Sequence, residues 1–198
     1  MSLVIALAGG KEAIIGGDKR NITFLGSCSD LEEELYSGKI KTDDELIGRA
    51  KDLGAHFQIA DGKEKVWARG DVLVGEVTEV SPCTQKRRRV YVTPGAYLLV
   101  EVADQEAEVI GQGTFACIVL GNKFTKEIAN AGIKNAKGKI TKDVFRAILA
   151  EAGCRTVSVS PEYTVLCTAK ANPNPAVQVL AAFKEDCEKG GWRPCAQH

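Results

Sequence analysis

Two short apolar blocks open the chain, Leu3 to Ala8 and Ala13 to Ile15, separated by Gly9-Gly10-Lys11-Glu12 and followed by Gly16-Gly17-Asp18-Lys19-Arg20. Blocks of this length bounded by glycine predict a β-hairpin. Its open end returns one carboxylate and two cations to the start of the first strand. Asn21 to Gly26 continues extended, and then the period changes. Ser29-Asp30 is placed to cap a helix over Leu31 to Tyr36, with acids in the first turn where the helix dipole favours them, and Gly38 ends it. Thr42 caps a second helix, Asp43 to Leu53, whose Leu46, Ile47, Ala50 and Leu53 share one face and whose C-terminal stop is Gly54. This helical pair interrupts a β-rich stretch, so residues 29–54 read as an insertion.

Alternation with period two resumes at His56 to Ile59, Lys65 to Ala68 and Val72 to Val77, with a turn at Arg69-Gly70-Asp71. A loop over Ser81 to Gln85 leads into four consecutive cations, Lys86-Arg87-Arg88-Arg89, and a strand over Val90 to Val92. Strands follow at Ala96 to Val102 and Ala107 to Ile110. A glycine-rich turn, Gly111-Gln112-Gly113-Thr114, then precedes the apolar run Phe115 to Gly121. Helices are predicted over Lys123 to Ala131 and, capped by Thr141, as far as Ala152 with Gly153 ending it. Thr156 to Thr168 reads as strand broken at Pro161, Asn172 to Pro175 as a linker, Ala176 to Glu188 as a last helix and Gly190 to Cys195 as a frayed tail. Strands and helices arriving in blocks fit α+β layers better than a doubly wound sheet. Residues 1–171 are expected to form one domain containing the insertion, and 172–198 a linker and helical tail.

Composition narrows the function. The 198 residues are enough for one real core. The 26 Lys and Arg balance the 26 Asp and Glu, which argues against a dedicated nucleic-acid binder. No apolar run approaches the roughly 20 residues of a membrane helix. With no signal-peptide pattern, a cytoplasmic protein without membrane insertion is expected. Seven cysteines without a CxxC pair imply reduced thiols. With His56 and His198 the only histidines, a Cys-His dyad would need His56, and neither a metal nor another cofactor is expected.

Three stretches carry candidate chemistry. Ser2 follows the initiator Met, and a methionine aminopeptidase that tolerates small second residues would expose it. A hydroxyl and a free α-amine on one residue form a nucleophile with its own base. That amine titrates at about 7.7–8.0, so part of it is neutral near physiological pH. The run Lys86 to Arg89 reads either as a charged strand edge that discourages pairing or as a dock for an acidic ligand held by arginine forks. The Gly111 to Thr114 turn reads either as structural or as a backbone cradle for an oxyanion, and it lacks the Lys-Ser/Thr of a phosphate-binding loop.

Ser2, Asp18 and Arg20, with a strand, a turn and a second strand between them, resemble the opening of proteasome β subunits and related N-terminal-nucleophile hydrolases. Gly62-Lys63-Glu64-Lys65 resembles the segment bearing that family's catalytic lysine, and Val74-Gly75 the strand end whose glycine N–H forms the oxyanion hole. Gly111 to Thr114 resembles a later glycine turn, and Ser158 or Ser160 the late serine. The insertion Asp30 to Thr42 and the stretch Lys86 to Tyr91 are similar to a group of archaeal, mainly methanogen, homologues known as connectases, over roughly residues 2–168.

The resemblance implies minimal proteasome-β-like αββα layers. It also implies a sequence-specific protein ligase that cleaves a peptide bond in a Lys-Asp-Pro-Gly-Ala-type motif, holds the acyl group on Ser2 and passes it to an incoming N-terminus. The implied natural partner is the A subunit of the methanogens' methyltransferase. Implied catalytic residues are Ser2, Asp18, Lys65 or Lys63, Gly75, Ser158 and Ser160. Arg20, Arg87, Arg88, Arg89, Gly111, Gln112 and Gly113 are expected to bind substrate. The group usually has threonine where this chain has Ser2. A plain amidohydrolase or peptidase, and a non-catalytic binding protein retaining Met1, remain alternatives.

Overall fold

The computed structural model describes residues 3–80 and 85–195. β1 (Val4–Ala8) and β2 (Ala13–Asp18) form the expected hairpin, with Val4 opposite Gly17. β10 (Ala116–Leu120) adds beside β1 and β11 (Tyr163–Thr168) beside β2, which gives a four-stranded sheet in the order β10-β1-β2-β11. Both central strands are buried along their whole length. Burial on two faces is why their sequences are continuous apolar runs and do not alternate.

One face of this sheet, formed by Leu3, Ile5, Leu7 and Ile14, packs on α3 (Lys123–Asn135) and α4 (Lys142–Arg155) through Ile128, Phe145, Ile148 and Leu149. The other face, Val4, Ala6, Ala8, Ala13 and Ile15, meets Val66, Leu73, Val77, Val90 and Val92 of a second sheet. That sheet contains β5 (Val66–Arg69), β6 (Val72–Val80), β7 (Gln85–Thr93), β8 (Ala96–Ala103), β9 (Glu106–Gly113) and β12 (Arg193–Pro194), in the order β12-β9-β8-β7-β6-β5. Its outer face carries Val72, Val74, Tyr91, Leu98 and Val100, covered by Val179, Ala182 and Phe183 of α5 (Pro175–Gly190). The α+β class expected from the order of elements is therefore observed.

The insertion folds around its own small core. β3 (Asn21–Leu25) pairs with β4 (His56–Ala60), and between them stand α1 (Ser29–Tyr36) and α2 (Asp43–Leu53). Leu31, Leu35, Ile40, Leu46 and Ala50 pack with Ile22 and with Val157 of the main body. Thr42 and Glu45 make the reciprocal capping box that a Thr three residues before a Glu predicts, and Gly54 closes α2 in the left-handed conformation.

Five local expectations change. α4 runs through Gly153 to Arg155, because the glycine serves a close approach: a Cβ there would lie 3.1 Å from the Ser160 carbonyl oxygen. Residues 156–160 consequently form a buried turn after α4, and only 163–168 are strand. Gly111 to Gly113 belong to β9, not to a turn, and Tyr97 packs over Gly113. The cations Lys86 to Arg89 lie inside β7, where cross-strand acids stabilise them: Glu76 is opposite Arg89, and Glu101 opposite Arg88. The tail expected to fray is also held, by Trp192 against the core and by β12 running parallel to β9. Of the expected loop at Ser81 to Gln85, residues 81–84 lie outside the described residues.

Candidate active site

Asp18 ends β2, and its carboxylate has no exposed surface. A buried charge persists only if it is paired and hydrogen-bonded, and Asp18 has four donors. Oδ1 accepts from the Leu3 N–H at 2.8 Å. Oδ2 accepts from the Lys65 ammonium at 2.7 Å, the Arg20 N–H at 2.9 Å and the Ser160 N–H at 3.3 Å. The hairpin register supplies the first of these, since it sets Val4 opposite Gly17 and so brings Leu3 beside Asp18.

Lys65 immediately precedes β5 and is 4% exposed. Its ammonium also donates to the Arg20 carbonyl. Burial pulls the Lys65 pKa down to about 8, against the opposing pull of Asp18. A lysine so displaced is part neutral near physiological pH and able to accept a proton. Lys63 is exposed and outside this cluster; its backbone N–H donates to the Lys19 carbonyl at 3.0 Å, and its charge helps lower the Lys65 pKa. Ser2 lies outside the described residues, next in sequence to the Leu3 that Asp18 holds.

The two late serines sit in the buried turn after α4. Ser160 reaches Asp18 through its backbone, while its hydroxyl accepts from the Glu162 N–H at 3.0 Å. The Ser158 hydroxyl is paired with that of Thr156, also at 3.0 Å. Gly75 lies within β6, between Val66 of β5 and Val90 of β7. The Glu76 N–H donates to the Lys65 carbonyl at 2.8 Å. Antiparallel alternation then turns the Gly75 N–H the other way, into the ladder with β7. The expectation that it forms an open oxyanion donor is corrected accordingly. What Gly75 does provide is room, because a Cβ there would come within 2.7 Å of Ile15 Cδ1 and 2.8 Å of Val4 Cγ1.

The residues expected to bind substrate do not gather in one place. Arg20 is buried, and its guanidinium is taken up by Asp43, Asp61 and the Val157 carbonyl. Arg88 is paired with Glu101 at 2.9 Å, and Arg87 faces Thr78 and Val102 across the sheet. Arg89 lies on the same face as Arg87, opposite to Arg88. There it is stacked between Trp67 and Trp192, 5.1 and 4.5 Å from the ring centres, and bonded to Glu76 and Asp186. Gln112 and Gly113 line a cavity of about 540 Å³ between β8, β9 and α5, on the face of the six-stranded sheet turned away from Asp18. Gly111 neighbours Leu99 and Tyr97. Asp43, Asp61 and Asp186 are partners that the sequence does not point to. Each lies far along the chain from the arginine it holds, so no local spacing signals the pairing. Among the described residues no group of three or more His, Cys, Asp or Glu side chains is arranged to hold a metal ion.

A family model described as "Connectase MJ0548-like, N-terminal domain" matches residues 1–188. No curated protein matches the chain. Among solved structures, that of an Anbu (Gly-1) mutant from Hyphomicrobium sp. strain MC1 is similar at 9% identity and a TM-score of 0.42, with 96% of each chain covered.

Proposed function

Since the chain belongs to the connectase family, we propose that it is an N-terminal-nucleophile acyl transferase acting on a protein or peptide. The observation that carries this reading is the fully buried Asp18 carboxylate, joined at once to Lys65 and to the backbone of Leu3. Removal of Met1 exposes Ser2, the residue next in sequence to Leu3. The Ser2 hydroxyl gives its proton to its own α-amine or to Lys65 and attacks the backbone carbonyl of Asp, at the Asp–Pro bond of a Lys-Asp-Pro-Gly-Ala-type segment. Asp18 holds Lys65 in place, and the ammonium formed there offsets charge developing on the oxyanion. The proton then passes to the departing proline nitrogen, leaving the acyl group on Ser2. An incoming N-terminal amine takes the acyl group and regenerates the hydroxyl.

Lys65 suits the role of base better than Lys63, because it alone of the two bonds to Asp18. Ser160 contributes its N–H to the carboxylate, and Ser158 supports the same turn. Of the expected cations, Arg88 lies on the sheet face that meets β1 and β2, and this reading favours it for an acidic substrate group. The packing order of two helices, two sheets and a helix suits the layered N-terminal-nucleophile hydrolase arrangement, with 172–198 as an appended linker and helix. The A subunit of the methanogens' methyltransferase, in an archaeal cytoplasm, is the natural substrate this reading favours.

The test is intact mass followed by exchange. Purified protein should lack Met1 and, with a peptide containing Lys-Asp-Pro-Gly-Ala, gain the mass of the acyl fragment; Ser2→Ala should gain none. Excess Pro-Gly-Ala peptide should be exchanged without net cleavage. Cleavage without exchange makes the protein a peptidase, and a retained Met1 overturns both readings.

A further inference from the structure

Arg20 stands at the seam between the insertion and the two-sheet body, and its two ends do different work. Its guanidinium is held by Asp43 of the insertion, by Asp61 just after β4 and by the Val157 carbonyl of the main body. Nε and Nη2 donate to the two oxygens of Asp61, each at 2.9 Å, in a bidentate fork. Nη1 donates to Asp43 Oδ1 at 2.7 Å and to the Val157 carbonyl at 3.1 Å. Asp43 is the first residue of α2, and Asp61 follows the last residue of β4. The backbone of the same arginine belongs to the candidate site, where its N–H is on Asp18 and its carbonyl accepts from Lys65. A planar guanidinium held by two carboxylates has little freedom to rotate or translate. Any shift of the insertion is therefore delivered to the peptide groups on which Lys65 and Asp18 rest.

We infer that Asp43 and Asp61 are positioning residues for the proposed acyl transfer: the inserted module sets the Lys65–Asp18 geometry by clamping Arg20. This rests on the reading above only in taking Lys65 as the base. Arg20, expected from its place after Asp18 to meet substrate, is the shaft of that clamp. The insertion is in this way a structural support of the active centre as well as an outer surface.

The charged groups acting on Lys65 are Asp18 on β2 and Asp61 and Lys63 between β4 and β5, with the Lys19–Glu64 pair alongside. Asp43 acts on Arg20 and is not among them. Asp43→Asn therefore removes a clamp arm without removing a charge that acts on Lys65.

Two readouts test the proposal. The first is the titration of Lys65 in protein labelled with 13C-lysine, its signal assigned with Lys65→Arg. The second is the pH profile of Ser2 acylation by a small β-lactone, which needs the base but no peptide recognition. The expected wild-type midpoint for Lys65 is about 8. Asp43→Asn should raise it as water reaches the ammonium, and should slow acylation at neutral pH about tenfold, an effect of roughly 1.4 kcal/mol. Asp43→Glu, which keeps the charge, should stay within about twofold of the wild type.

Asp61→Asn separates the clamp from simple electrostatics. The Asp61 charge raises the Lys65 pKa, so its loss alone lowers the midpoint, whereas release of Arg20 raises it. A Lys65 midpoint unmoved by Asp43→Asn, or lowered by Asp61→Asn, overturns the proposal. So does an equal loss of acylation at every pH, which is what a merely structural defect produces. If the lactone leaves wild-type Ser2 unlabelled, the acyl-transfer reading falls, and the Lys65 titrations still decide the clamp.

Discussion

Lys65 is a poor ammonium because of where it sits. Burial strips water from the charge, Asp18 only partly restores the balance, and the pKa settles at about 8. The neutral amine, the form able to take a proton, gains population as pH rises, so the acylation rate should climb through about pH 8 and level above it. Lys65→Arg keeps a cation for Asp18 but cannot release a proton, and should slow acylation by about 10²–10⁴-fold. Stability carries the same signature. The folded chain loses this proton at about 8 and an unfolded lysine at 10.5, so the unfolded state binds the extra proton between those values and Lys65's contribution to stability grows as pH rises through that window. At this scale the place of Asp18 at the hairpin's open end is legible in the chain, whereas Lys65 is singled out only by the family resemblance. Which lysine meets the carboxylate is not legible. Lys63 and Lys65 lie two apart, and only the tertiary structure shows Lys65 buried at the start of β5 and Lys63 exposed in the loop before it.

Among elements, the β6–β7 hairpin and α5 depart furthest from the pattern of the chain. The four cations read as the approach to a strand, and they lie within one. Arg89 is locked under α5 by Glu76, Asp186 and two tryptophans, and Asp186 also accepts from the Tyr91 hydroxyl at 2.7 Å and pairs with Arg69. A polar network joined in this way between a helix and a sheet sets the register of α5 more strictly than its apolar face could. Asp186→Ala leaves the Arg89 guanidinium buried without its partner on α5 and should cost about 3–5 kcal/mol, read from urea unfolding. Surface pairs such as Arg155 with Glu151 should each contribute about 0.5 kcal/mol or less. The helix boundaries, by contrast, are largely readable. Thr42 with Glu45 and Thr141 ahead of Val144 cap their helices through contacts made within a single turn.

At the scale of the molecule, two sheets face each other across small and branched side chains, and Gly75 marks a close approach between them. Gly75→Ala would drive a methyl group into Ile15 and Val4, on the two strands that carry the candidate site. Overpacking of this kind should cost about 1–3 kcal/mol in unfolding experiments. It should also slow acylation in the folded protein, because β1 and β2 hold Leu3 and Asp18.

The sequence by itself determined the α+β class, the opening hairpin and the inserted helical pair. Each of these is written in local period, capping and turn chemistry, over distances of a few residues. Only the tertiary structure decided that Arg20 is clamped by Asp43 and Asp61, that Arg89 belongs to α5, that the Gly75 N–H is spent in the ladder, and that Gln112 and Gly113 open onto the far face of the sheet. The reason is physical. Ion pairs and sheet faces join residues tens of positions apart, and a buried charge takes whichever partner the packing of layers brings within reach.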